Sequence, residues 1–348
     1  MDSKALQSEW RYLKSAYTNF LRNLKKGVKK GFPKFKLKKN RQSYTTFNIN
    51  NNCKIDFENR KLKLPKIKLW INYRDNREFN EEIKHITVSK TRSGKYYTSI
   101  LIENKFNIKS KQEIEEDKII GFDMSGDKFL ITKGLELSNP RFYRNERKKI
   151  RKFNKELSRR KKGSNNQERT RIKIARLYEK IYNRKKDWIH KITHLLSKHF
   201  DCIILEDLNI KGMQKFNSGL SKSVSLDFSW NQFINIFRYK MEQNGKHLVL
   251  IDRYFPSSKL CSHCEYKNEK LELNDREWIC PQCNTHHHRD INASTNIENE
   301  GKRILIDNNI KIISNNDIAV GTTVDAFGED VRLSLGEQFS MKYESICL

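Results

Sequence analysis

Apolar residues recur every three or four positions near the start of the chain, at Leu6, Trp10, Leu13, Tyr17, Phe20, Leu21 and Leu24. This spacing predicts an amphipathic helix over residues 2 to 26, capped by Asp2 or Ser3 and ended by Gly27, Gly31 and Pro33. The segment GFPKFKLKKNR then reads as extended and basic, with Phe32 and Phe35 set among lysines. Aromatics among cations suit base stacking, and they suit packing beneath a loop equally well. From Ser43 to Lys105 the pattern shortens to alternating runs, SYTTFNI, KLKLPKIKLW, KHITVSK and GKYYTSILIE, separated by NINNN and RDNREFN. These predict five or six strands of a small antiparallel barrel or sandwich.

The second half reads differently. Ile119 and Ile120 make a continuous apolar run ending at Asp123, and a second strand follows from Phe129 to Ile131. Residues 141 to 200 predict two long helices in a hairpin broken at KKGSNNQ, with Ile174, Leu177, Ile181, Trp188, Ile192 and Leu195 on one face of the second. CIILED at 202–207 repeats the earlier theme, an apolar strand with Glu206 at its end. Residues 210 to 224 read as loop. A helix from Leu226 carries Trp230, Phe233 and Phe237 and stops at Gly245, and LVLID is a further buried strand. Residues 301 to 348 read as a partly flexible tail.

Between these elements lies CSHCEYKNEKLELNDREWICPQCNTHHHRDIN. Cys261 and Cys264 form one CxxC pair and Cys280 and Cys283 another, at the spacing of a structural zinc ribbon. Four sulfurs select a borderline-soft ion in tetrahedral geometry, so zinc is expected and His286, His287 and His288 are left out of the ligand set. Cys53, Cys202 and Cys347 stand alone, as befits a reducing, cytoplasmic setting. Just beyond the ribbon, Asp290 is followed by Asn292, Ala293 and Asn296, a polar entry to a possible short helix.

The net charge of +28 sharpens this picture through its distribution. Residues 1 to 41 hold 13 Lys/Arg against 2 Asp/Glu, and residues 141 to 186 hold 20 against 4, so the rest is nearly neutral. Two concentrated basic surfaces point to nucleic acid as partner, with Lys34, Lys36, Lys38, Lys39, Arg159, Arg160, Lys161, Lys162, Arg184, Lys185 and Lys186 as candidate contacts. Neither segment has the apolar face of a membrane anchor, and no run is long enough to span a bilayer.

Three acids then stand out by position: Asp123 and Glu206 at strand ends, Asp290 at a helix start. Converging carboxylates hold two divalent cations about 3.5 to 4 Å apart, the arrangement for in-line phosphodiester cleavage. Hard oxygen ligands favour magnesium or manganese.

At these residues the chain resembles the TnpB (OrfB) family of transposon-encoded proteins, related to type V CRISPR effectors and Fanzor proteins. The resemblance is carried by GFPKFKLKKN, GKYYTSILIE, IIGFDMSGDKF, the KKGSNN hairpin with NRKKDWIHK, ILEDLNIKGM, PSSKLCSHC, WICPQC and RDINASTNI. It implies an α+β multidomain fold. Residues 1–42 would be a basic remnant of a helical lobe, 43–116 a wedge-like β-barrel, and 117–260 an RNase H-like RuvC nuclease bearing the hairpin 141–200. A zinc ribbon at 261–285, a RuvC C-terminal part at 286–300 and the tail 301–348 would follow. It also implies RNA-guided cleavage of DNA, with an RNA from the transposon end as guide and Asp123, Glu206 and Asp290 as catalytic, magnesium-binding acids. His288 stands where the family often has an acid, and the match starts about half a domain into the family pattern. A non-cleaving nucleic-acid binder or repressor and a strand-joining transposase are the alternative readings.

Overall fold

The computed structural model describes residues 2–28, 31–35, 42–103, 109–125, 128–209, 212, 227–272 and 274–313. It divides into two compact units, Met1–Phe106 with Lys152–Glu179, and Asn107–Arg151 with Lys180–Leu348. No helix among the described residues is long and apolar enough to cross a membrane.

The first unit opens with helix α1 (Ser3–Lys25), whose first turn is capped by the Asp2 side chain accepting from the Lys4 amide at 3.0 Å. Six strands follow: β1 (Gln42–Phe47), β2 (Lys54–Asp56), β3 (Lys61–Lys63), β4 (Ile71–Asn72), β5 (Ile83–Lys90) and β6 (Tyr96–Ile102). They pair antiparallel in two three-stranded sheets, β1-β5-β6 and β2-β3-β4, around Cys53, Leu62, Leu64 and Ile86. This corrects the expected barrel, since no closed barrel forms among the described residues. Strands β2 to β4 span two or three residues each, too few to carry a ladder of hydrogen bonds round a closed surface.

Helix α1 also differs from the simplest expectation. It packs on β1 through its polar side, with Ser8 buried, Tyr12 bonded to Thr45 and the Arg11 guanidinium 4.8 Å from the Phe47 ring. Leu6, Trp10, Leu13 and Leu24 stay exposed. Phe32 packs edge-on against Tyr17 and Phe20, each at 5.3 Å, which is the packing role; Phe35 is 97% exposed.

The helical hairpin is observed as α2 (Phe142–Arg159) and α3 (Asn165–His199), with Gly163 at a φ of 82° in the turn between them. Near this turn Thr170 donates to Glu156, and farther along α3 Glu179 accepts from the Tyr97 hydroxyl at 2.9 Å.

In the second unit the strands are β7 (Ile114–Glu115), β8 (Ile119–Phe122), β9 (Lys128–Thr132), β10 (Leu135–Ser138), β11 (Cys202–Glu206) and β12 (His247–Ile251). Strands β8, β11 and β12 are parallel in the order β12-β11-β8. The β9–β10 hairpin joins this sheet through β8, where Asp123 and Ile131 exchange both backbone hydrogen bonds at 2.9 Å. Parallel strands need cover on both faces, which explains their continuous apolar runs. One face carries Ile120, Phe122, Ile203 and Leu205 against Ile189 and Ile192 of α3 and Phe233 of α4 (Trp230–Gln243). The opposite face carries Ile119, Cys202, Ile204 and Ile251 against Ile297 and Leu305 of α5 (Arg289–Asp307).

Helix α5 lies on the sheet at backbone distance. A Cβ on Gly121 of β8 would come 2.6 Å from both the Glu298 amide nitrogen and the Ser294 carbonyl oxygen. On the helix side, a Cβ on Gly301 would meet the Ile204 side chain. The expected tail boundary at 301 therefore falls inside a helix that continues to Asp307, because Ile297, Gly301 and Leu305 keep the spacing of a buried face. After it, β15 (Ile312–Ile313) pairs parallel with β7. The expected tail beyond 313, Cys347 and nearly all of the expected 210–224 loop lie outside the described residues.

Candidate metal centres

Strand alternation explains how the acids meet. Successive side chains of a strand point to opposite faces, so Ile119, Gly121 and Asp123 share a face, as do Cys202, Ile204 and Glu206. That common face is the one covered by α5, whose first turn supplies Asp290. Phe122 pairs with Leu205 across β8 and β11, so one step further Asp123 stands opposite Glu206.

The electrostatics register this proximity. Burial pushes the Asp123 carboxyl up to about 8, with the charges of Glu206 and Asp290 adding to it and Arg289 opposing it. Burial also raises Glu206, offset in part by a short hydrogen bond from the Ser257 hydroxyl. Asp290 is held by Arg276 at 3.3 Å. Like charges this close to one another in a partly dry site are costly without a counter-ion, and a hard divalent cation is what three carboxylates fit. The three acids are not drawn as tightly together as the sulfurs described next.

Those sulfurs belong to Cys261, Cys264, Cys280 and Cys283, whose Sγ atoms all lie within 4.8 Å of one another. The two CxxC turns are joined by β13 (Glu277–Ile279) and followed by β14 (His286–His288), an antiparallel pair in which Trp278 opposes His287. His287 is buried, its ring 4.8 Å from that of Trp278 and its Nε2 3.0 Å from Cys261 Sγ. That distance is a hydrogen bond to sulfur, so His287 supports the cluster from outside the four sulfurs. Hydrogen bonds from Thr285 lower the Cys283 thiol below its ordinary range. Four convergent sulfurs fit a tetrahedral soft ion. His288 occupies the N-cap position of α5 without a side-chain capping bond, and its buried Nδ1 has no hydrogen-bond partner.

The basic candidates separate by helical phase. Arg159, Arg160, Lys161, Lys162 and Lys186 are exposed, although Arg160 pairs with Glu156 at 2.8 Å. Arg184 lies 5.0 Å from the Phe142 ring. Lys185 is a correction: it is 8% exposed, and burial lowers its pKa while Asp227 opposes that shift. It sits four residues after Ile181 and three before Trp188, on the apolar stripe, so the sequence itself carried the signal. Lys34 is exposed in its extended segment, and Lys36, Lys38 and Lys39 lie outside the described residues. Sequence reasoning missed Asp227, which accepts from the Tyr143 amide at 3.0 Å and caps α2 from far along the chain.

Comparison with known proteins gives the family. Residues 99–217 match the OrfB family model described as "Probable transposase", and residues 230–297 match the one described as "Cas12f1-like, TNB domain". A Streptomyces pristinaespiralis protein named "Putative RNA-guided DNA endonuclease" is 32% identical over 301 residues, 85% of this chain and 71% of its own length. The chain belongs to the TnpB family. Another relative, InsQ of Escherichia coli K12, carries the same description and is 28% identical over 87% of this chain and 75% of its own length. Among solved structures, a Cas12f1 complex with single-guide RNA and target DNA superposes with a TM-score of 0.56 at 15% identity, covering 85% of this chain and 71% of that one. That likeness supports an α+β multidomain fold for this TnpB-family chain.

Proposed function

We propose that this TnpB-family chain is an RNA-guided DNA endonuclease that hydrolyses phosphodiester bonds at Asp123, Glu206 and Asp290. The observation that carries the reading is the convergence of these acids on the α5 face of the sheet, where burial and the charges of Glu206 and Asp290 raise the Asp123 carboxyl. The relatives' names supply the guide and the DNA. In this reading β8 to β12 with α5 are the RuvC-like, RNase H-like nuclease, residues 261–285 its zinc ribbon, and residues 43–116 the wedge-like part, in a cytoplasmic protein. The exposed cations of the hairpin and Lys34 hold the polyanions, joined in this reading by Lys36, Lys38 and Lys39.

Each acid has a distinct support. Asp123 is fixed by its paired backbone bonds to Ile131, Glu206 by Ser257, and Asp290 by Arg276 and the first turn of α5. The three carboxylates together would hold magnesium or manganese, and Cys261, Cys264, Cys280 and Cys283 would hold zinc. When bound, the hard cations supply a water of lowered pKa and neutralise charge on the departing oxygen. No side-chain nucleophile is needed; the residues position and the phosphodiester is turned toward attack. The relatives' names favour neither the non-cleaving nor the strand-joining reading.

The test is magnesium-dependent cleavage of a plasmid library with randomised flanks, using protein co-expressed with its downstream transcript. Asp123→Ala is expected to abolish guide-directed cuts and keep nucleic-acid binding. Cleavage by Asp123→Ala at the wild-type rate would refute the assignment.

A further inference from the structure

The polar residues at the start of α5 are more than a helix entry. Asn292 and Asn296 are 3% and 6% exposed on a helix face that otherwise packs Ala293 and Ile297. Buried amides are costly unless bonded, and both spend their bonds on one short segment, Ser257–Ser262. The Asn292 side chain brackets Cys261: its Oδ1 accepts from the Ser262 amide at 2.9 Å, and its Nδ2 donates to the Leu260 carbonyl at 2.6 Å. One turn later, Asn296 Nδ2 donates to the Leu260 carbonyl at 2.8 Å and to the Ser257 carbonyl at 2.7 Å.

The two ends of this strap face different centres. Its C-terminal end carries Cys261, fully buried among the sulfurs and touched by His287. Its N-terminal end is Ser257, 6% exposed, whose hydroxyl donates to Glu206. The segment between them is short and further pinned by backbone bonds from Lys259 and Leu260 to the Pro256 carbonyl, at 2.9 and 3.1 Å. A shift of Cys261 therefore has a direct, hydrogen-bonded route to the Glu206 carboxylate, and α5, which bears Asp290, is the surface along which that route is clamped.

We propose that the Ser257–Ser262 strap, clamped by Asn292 and Asn296, couples the cysteine centre to the carboxylate centre, so that occupancy of the four sulfurs sets the position of Glu206 and with it the affinity for the hard cation. Ser257, Asn292 and Asn296 are positioning residues in this scheme. Such coupling is reciprocal, with magnitudes commonly between about fivefold and 150-fold in affinity. The inference rests on the proposed nuclease reading, since it takes Asp123, Glu206 and Asp290 as the cation ligands.

The experiment measures Mn²⁺ binding by the electron paramagnetic resonance of free Mn²⁺, using the full chain zinc-loaded and zinc-stripped, with circular dichroism as the check on fold. Zinc removal is expected to weaken Mn²⁺ binding about tenfold. Ser257→Ala and Asn296→Leu, with zinc still bound, are expected to weaken it by a similar factor, and Ser257→Thr, which keeps the hydroxyl, restores it. If stripping zinc unfolds more than the ribbon, the zinc-loaded Ser257→Ala and Ser257→Thr pair decides. Mn²⁺ binding by zinc-loaded Ser257→Ala equal to wild type overturns the coupling while leaving the nuclease reading intact. Absence of Mn²⁺ binding to zinc-loaded wild type, or binding indifferent to Asp123→Asn, overturns the carboxylate centre itself.

Discussion

The cysteine cluster takes all four of its ligands from residues 261–283, whereas the acidic cluster takes its three from positions 123, 206 and 290. The first is assembled by two tight turns and leaves little apolar packing of its own: Leu271 and Trp278 are the buried side chains beside the sulfurs. The second is assembled by a sheet, by strand alternation and by a helix seated at backbone distance, with a large apolar core behind it. A soft-metal site built from local turns borrows its folding energy from the ion. A hard-cation site built on a sheet is organised by packing before any cation arrives.

Breaking the local centre is expected to give the largest effect. Cys264→Ala should abolish zinc retention and unfold the ribbon, since the zinc binding energy of such modules, about 10 to 16 kcal/mol, is their folding energy. Zinc content together with protease cleavage inside residues 261–283 measures this, and a ribbon that stays protease-resistant without zinc would erase the contrast. At the acidic centre the converse holds. Asp123→Asn should lower cleavage at least about a hundredfold, the scale for removing one preorganised electrostatic group, without lowering the melting temperature of cation-free protein. Burial beside two acids already disfavours its charged form.

A smaller effect probes the helix seat. Gly121→Ala forces a methyl into the α5 backbone and should destabilise by about 1 to 3 kcal/mol, the usual cost of overpacking. Gly301→Ala should cost a similar amount, because its methyl meets Cδ1, Cγ2 and Cγ1 of the fully buried, β-branched Ile204, all within 2.6 Å. Chemical denaturation measures both, and an unchanged midpoint for Gly121→Ala would mean that α5 is not fixed at Gly121.

The smallest effect is one of pH. His247 is buried and donates from Nε2 to the Gln112 carbonyl at 3.1 Å, and burial lowers its pKa. A depressed pKa contributes stability that is present above the unfolded value, about 6.5, and lost as pH falls through the folded value. Denaturation midpoints measured from pH 8 to 5 should fall for wild type and fall less for His247→Gln. An identical acid limb in the two proteins would remove His247 from the account.

What was legible in the sequence follows the same division. The four cysteines could be paired by counting, and Asp123 and Glu206 announced themselves by ending apolar runs. Lys185 was misplaced because charge was counted without helical phase, although Ile181 and Trp188 fixed that phase. The extent of α5 was missed because residues from 301 onward read as a tail; Gly301 is a contact surface, and only the sheet beneath it reveals that. The exposed side of α1 and the cap that Asp227 gives to α2 depend on partners remote in sequence, as does the bond from Ser257 to Glu206. Periodicity predicts which face is apolar, and it is silent on what stands opposite.

The closeness of α5 to Gly121 has one more consequence, for precision. Asp290 lies four residues, about 6 Å of helix rise, from Ser294, where the helix touches the strand. With so short a lever arm, even a tilt of roughly 10° about that contact swings the acid by only about 1 Å, a displacement that can still cost about a hundredfold in rate. A pivot farther from the acid would turn the same tilt into a larger displacement and a larger loss.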